Sequence, residues 1–316
     1  MMAKTQIPLE DLTAERCAQT AQSLQVSTAD LGINLNPSSW LARIIRHLEW
    51  MGSFSAGPMM KGGSGDSDRP RVVDVVLYAE QAERLARALE QVRGVPGAAK
   101  VAACLNNNID RLSTLHETAQ DLLFEIEVAG RLAAQGLPVA FAEPDLVLEF
   151  LDGRLGLPCK RPRSAKGIMT NLRKAVRQLE GAKLLGVAVC SVEPILHPPA
   201  PRGGLSAQKP APTSRFAASA EERDAFADQT LILNKTAIQV QLPEINRLFG
   251  GHECLAGVLF CGAFVALLED PSAYTYRWLS RSVARPDDPQ AATLTNLLRQ
   301  LLAGSTALEA GGSRAP

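Results

Sequence analysis

Between residues 122 and 193 the chain strings together a helical stretch, three short β-rich runs, a basic helix and a further β-rich run, and that order leaves few architectures open. The helical stretch stops at Gly136 with Pro138 behind it, the residue types that end a helix. Residues 137–141, Asp145–Phe150 and 154–159 read as strands, and Asp152-Gly153 between the last two is a hairpin turn signal. A helix over 171–183 then leads to a strand over 185–192. Antiparallel hairpin strands followed by a helical crossover build a mixed sheet with helices packed on it, so the expected fold class is α/β.

The rest of the chain is read outward from this unit. Residues 9–25 and 39–51 look helical, and Trp40, Ile44, Ile45, Leu48 and Met51 fall near helical spacing. The Gly/Ser/Asp-rich stretch 59–71 is a linker, separating a helical N-terminal segment (1–58) from a core with its preceding helices (72–197). Within that core, 71–78 reads as a short strand, 79–92 as an amphipathic helix, and 98–135 as a long helical stretch interrupted near Asn106-Asn107-Asn108. The Pro/Gly-rich stretch 198–218 is expected to be disordered, 219–302 to be mostly helical and to pack on the core, and 303–316 to be a loose tail. The apolar run 255–267 suits a buried strand or a helix equally well, and 287–302 reads as a last helix.

Charge excludes some partners and favours others. Lys+Arg and Asp+Glu are 33 each, so the chain is no histone-like polycation. Yet Arg154, Lys160, Arg161, Arg163, Lys166, Arg173, Lys174 and Arg177 follow one another with no acidic residue among them. Asn171, Lys174 and Gln178 share one face of the helix, where they can line a groove and meet phosphates. The bland alternative is a solvated basic face. The six cysteines form no C-x-x-C pair and the four histidines no ligand spacing, which argues against a disulfide framework or a zinc site. Cys159 alternates to the face opposite Lys160 and reads as a core thiol. No signal-peptide core opens the sequence, and the longest apolar run is short of the ~20 residues that a membrane span requires. A cytoplasmic location is the default expectation.

Four pieces carry chemistry: Glu127 in FEIEVAGRL, Pro144-Asp145 in EPDLVLEF, Lys160 in LPCKRPRS and Gln178 in AVRQLEGA. Cleaving a phosphodiester takes an activated water and neutralisation of charge, which a carboxylate-bound divalent metal and a nearby lysine supply. On these residues the segment resembles the PD-(D/E)-x-K nuclease superfamily, over under a quarter of the chain. The resemblance implies a restriction endonuclease-like core, with Asp145 and Glu127 as metal-site residues, Lys160 supporting the water, and Gln178 lining the site. It implies Mg²⁺ or Mn²⁺ as cofactor and DNA, with RNA as a second option, as substrate. Arg161, Arg163, Lys166, Asn171, Lys174 and Gln178 are the expected nucleic-acid contacts. One departure is specific: the family's acidic residue two positions before the lysine is Pro158, which offers no ligand. The expected function is a metal-dependent nuclease or a degenerate relative. The alternatives are a non-catalytic nucleic-acid-binding protein and an interaction scaffold whose long helices meet a protein partner or a second copy.

Overall fold

The computed structural model describes residues 10–11, 13–53, 69–109, 118–150, 153–196, 214–217, 238–268 and 273–303, with a few isolated positions between 221 and 236. The linker centre, the Asp152 turn, His116, His197, most of the Pro/Gly-rich stretch and the tail from 304 onward lie outside the described residues.

Three helices open the chain: α1 (Ala14–Asp30), α2 (Trp40–Gly52) and α3 (Arg69–Val92). Thr13 and Ser39 cap the first two, each side-chain oxygen accepting from the backbone N–H three residues on. The short strand expected over 71–78 is instead the first part of α3. Its Val-rich sequence favours β structure locally, but Tyr78 meets the Trp40 ring edge-on at 5.9 Å and Ala79, Ala82, Leu85, Ala86 and Leu89 are buried at helical spacing. Tertiary burial of that stripe overrides local propensity.

A short helix, α4 (Ala98–Ala102), leads through a 3-10 turn to Asn106, and α5 (Thr118–Ala134) then ends at Gly136, whose φ of 73° suits a glycine after a helix. The strands β2 (Val139–Ala142), β3 (Asp145–Phe150), β4 (Gly153–Leu157) and β5 (Cys159–Lys160) follow, then α6 (Ala165–Ala182) and β6 (Leu185–Ser191). This is the expected order of elements, with the third strand divided into β4 and β5 on either side of Pro158. A short α7 (Glu193–Leu196) ends the unit.

The C-terminal part departs from expectation. Rather than a mostly helical segment, it adds the two longest strands, β8 (Leu255–Leu268) and β9 (Ala273–Ala284), flanked by α8 (Leu242–Gly251) and α9 (Pro289–Ala303). Part of the stretch expected to be disordered forms β7 (Ser214–Ala217), which pairs in parallel with the far end of β8. With β1 (Glu10–Asp11), the mixed sheet runs β1-β9-β8-β6-β4-β3-β2, while β5 continues the β4 edge along β6. β2, β3 and β4 are antiparallel, and β4, β6 and β8 are parallel. β8 is central, and over residues 255–262 it is buried on both faces, so that stretch is apolar and carries no alternation to read.

The two faces hold two cores. Along β6, Val187 and Val189 join the helices α1 to α5 and α9, while Ala188 and Cys190 join Ile168, Leu172, Val176 and Leu179 of α6 and Ile245 and Phe249 of α8. The first core runs without a break from Leu24 and Leu41 through Leu85 and Ile126 to Leu148 and Leu259. The N-terminal helices are therefore packed into the same core as the sheet. None of the helices among the described residues is long and apolar enough to cross a membrane.

Candidate phosphodiester site

The β3–β4 hairpin builds the site. Leu146 pairs with Leu157, so the next rung would set Asp145 opposite Pro158. Proline has no N–H to continue the ladder, which stops there. The chain swings across to β6, where Val189 N donates to Pro158 O at 2.9 Å and Cys159 pairs with Val189. The freed Cys159 N–H is taken by the Asp145 side chain: N to Oδ2 is 2.8 Å. Asp145 has φ 124°, an uncommon backbone for a residue with a side chain and one that turns up most often at functional positions.

Two of the expected residues, Lys160 and Gln178, come together on this carboxylate. Lys160 Nζ lies 2.5 Å from Asp145 Oδ2 and also donates to Cys159 O at 2.9 Å. Gln178 reaches in from α6 and donates through Nε2 to Asp145 Oδ1 at 2.9 Å. Its other amide atom, Oε1, is buried without a hydrogen-bond partner. Asp145 and Lys160 are only 16% and 12% exposed, so their charges act in a screened-off, low-dielectric corner.

Glu127 does not join them. It is buried on α5, with Oε2 accepting from Arg84 Nη2 of α3 at 3.0 Å. The helix acid that feels Asp145 and Lys160 is Glu125. Burial, followed by the Asp145 charge, pushes its carboxyl up to about 8, with Lys160 pulling the other way. Glu125 escaped the sequence reading because the two acids sit two apart on a helix with apolar residues on every side. One signal was present: Asp121 and Glu125 are four apart and share a face, towards the consecutive cations Arg161 and Lys160.

Arg161 is likewise removed from the expected basic groove. Its side chain is 6% exposed, with Nη1 donating to Gln120 Oε1 at 2.8 Å and lying 3.9 Å from Asp121. It ties β5 to α5. Asn171 is half-buried, its amide donating to Gly167 O one turn back on α6 at 2.8 Å. The exposed cations of the basic run are Arg154, Arg163, Lys166, Arg173, Lys174 and Arg177, with Ser164 capping the start of α6. Cys159 is buried, and burial and then Asp145 raise its thiol well above the ordinary range, so it is an inert core thiol. Glu180 points away from the site and pairs with His252 at 2.8 Å.

Among the described residues, no three of Asp, Glu, His and Cys gather in a way that could hold a metal ion. The fit to Mg²⁺ or Mn²⁺ therefore rests on two hard carboxylates, Asp145 and Glu125. That suffices for a cation that keeps several of its waters, and Gln178, whose Oε1 is buried without a partner, stands beside Asp145. Compared with family models, curated proteins and solved structures, the chain matches none.

Proposed function

We propose that this protein is a metal-dependent nuclease of the restriction endonuclease-like kind, acting on DNA. The observation that carries the reading is the convergence of Lys160 and Gln178 on Asp145, from the strand and the helix that follow the hairpin. Asp145 and Glu125 are the carboxylates that would hold Mg²⁺ or Mn²⁺. When bound, the cation supplies charge neutralisation at the phosphate and a more acidic water. Gln178 fixes the Asp145 carboxylate by its amide hydrogen bond. Lys160, held on Asp145 and the Cys159 carbonyl, is the cation placed to orient the attacking water or to balance charge on the phosphate. Lys166, Lys174 and Arg163 hold neighbouring phosphates from the exposed side of α6.

Manganese binding by calorimetry, together with cleavage of end-labelled single- and double-stranded DNA, tests this. Asp145→Asn and Glu125→Gln are expected to weaken Mn²⁺ binding by about tenfold or more and to abolish cleavage. A well-folded wild type that binds no Mn²⁺ and cuts neither substrate would overturn the hydrolytic reading.

A second reading has its own support. The Asp145 carboxylate already accepts from Lys160, Gln178 and the Cys159 N–H, and Pro158 fills the slot of a missing ligand. That arrangement suits a site that binds nucleic acid without cutting it. Replacing Lys174 and Arg177 by alanine is expected to lower the slope of log affinity against log salt by about one for each phosphate that the variant no longer neutralises. An unchanged slope would leave the basic side of α6 as a solubilising surface. RNA run as competitor against DNA decides which nucleic acid is preferred.

A further inference from the structure

The apolar surface of α5 does not determine how the helix is rolled about its axis. Leu123, Phe124, Ile126, Val128, Ala129 and Leu132 are all buried and lie at many angles around it, so burial alone favours several rolls nearly equally. The polar residues discriminate. Glu125 and Glu127 are two positions apart, roughly 200° around the helix, and the observed roll sets Glu127 against Arg84 and Glu125 within reach of the Asp145 and Lys160 charges.

Glu127 is held from outside the strand–helix unit that carries the site. Arg84 Nη2 of α3 lies 3.0 Å from Glu127 Oε2 and 3.1 Å from Glu193 Oε1, and Arg84 Nη1 lies 3.4 Å from Glu80 Oε1. Glu193 opens α7, directly after β6. All four side chains are at most 9% exposed, so these contacts act with little screening. One turn further along both helices, Gly130 brings α5 into backbone contact with α3, since a Cβ there would fall 2.8 Å from Ala88 Cα. That contact fixes the distance between the helices and limits the roll of α5, since no residue with a Cβ could take its place. The longer arm from Arg84 to Glu127 holds the roll within that limit.

We propose that Arg84 is a positioning residue, holding α5 in the one roll that turns Glu125 towards Asp145 and Lys160. The proposal rests on the function above for the role of Glu125 as a site acid. Arginine suits the task because its planar guanidinium spreads fixed donors over a wider span than the compact ammonium of lysine, reaching Glu80 through Nη1 and Glu127 and Glu193 through Nη2. The α1–α3 layer is thereby coupled to the acid side of the site, and a displacement of α3 withdraws Glu125 from Asp145.

The test uses the full chain with Arg84→Lys and Glu127→Gln. Amide hydrogen exchange is followed by mass spectrometry in α5 and, for comparison, in α6, alongside Mn²⁺ affinity and thermal melting. Arg84→Lys is expected to melt cooperatively, to speed exchange in α5 by about tenfold with α6 unchanged, and to weaken Mn²⁺ binding by about tenfold. Glu127→Gln still offers an oxygen to the guanidinium and is expected to stay within about threefold of wild type in both. Unchanged exchange in Arg84→Lys, or exchange raised equally in α5 and α6, overturns the proposal. Should wild type take up no Mn²⁺, the exchange arm decides alone: selective loosening of α5 sustains the positioning role while the metal reading fails.

Discussion

Arg84→Met is expected to cost the folded chain about 3–5 kcal/mol, a large share of the ~5–15 kcal/mol that holds a typical domain together. Methionine fills much of the same volume, so the loss is not one of packing. It comes from leaving Glu80, Glu127 and Glu193, at 3%, 4% and 7% exposure, without the guanidinium that they surround. Buried carboxylates whose cation is removed repel one another where water reaches them poorly. Arg93→Met is the control. Arg93 meets Asp30 at 3.0 Å, but the pair is 34% and 47% exposed, and breaking it is expected to change stability by less than ~1 kcal/mol. Urea unfolding of both variants at neutral pH gives the comparison. Equal losses would mean that the buried cluster contributes no more than a surface pair.

This contrast bears on what the sequence could and could not reveal. Asp145, Lys160 and Gln178 were legible because the hairpin and the helix after it bring them together by short connections, whose turn residue and strand period are local signals. The choice between Glu125 and Glu127 was not legible. It depends on the roll of α5, and that is tied to Arg84, 43 residues earlier in the chain. Arg161 misled for the same reason. Next to Lys160 in a basic run it reads as a phosphate ligand, but Gln120 and Asp121 on α5 claim it. In β8, burial on both faces erased the alternation that would have separated strand from helix, so the C-terminal half of the sheet could not be read. At 71–78, helical packing overrode a run of valines. In each case the missing information was a long-range contact.

Between about pH 5 and pH 8 the chain is expected to lose stability as the solution becomes more alkaline, and Glu125 is the cause. Its carboxyl titrates near 8 in the folded protein, against 4.5 for an ordinary glutamate, because burial and then the Asp145 charge oppose ionisation. Within that window the folded chain keeps a proton that the unfolded chain has released, so raising the pH draws the equilibrium towards unfolding. The contribution is complete below about 4.5 and is gone once the pH has passed through about 8. Allowing for the solvent that reaches this partly exposed side chain, the loss is roughly 3 kcal/mol. Urea midpoints for wild type and Glu125→Gln from pH 5 to 8.5 isolate it, since every other titrating group is common to both proteins and cancels in the difference. The glutamine variant should gain on wild type as the pH rises, and parallel curves would remove Glu125 from the buried corner altogether. Saturating Mn²⁺ adds a second arm. A cation shared by Asp145 and Glu125 favours the ionised carboxyl and so flattens the wild-type slope, whereas Asp145→Asn, with one of the two carboxylates gone, should respond far less. A slope that Mn²⁺ leaves untouched would separate the buried acid, which the fold then keeps protonated, from any role in holding metal.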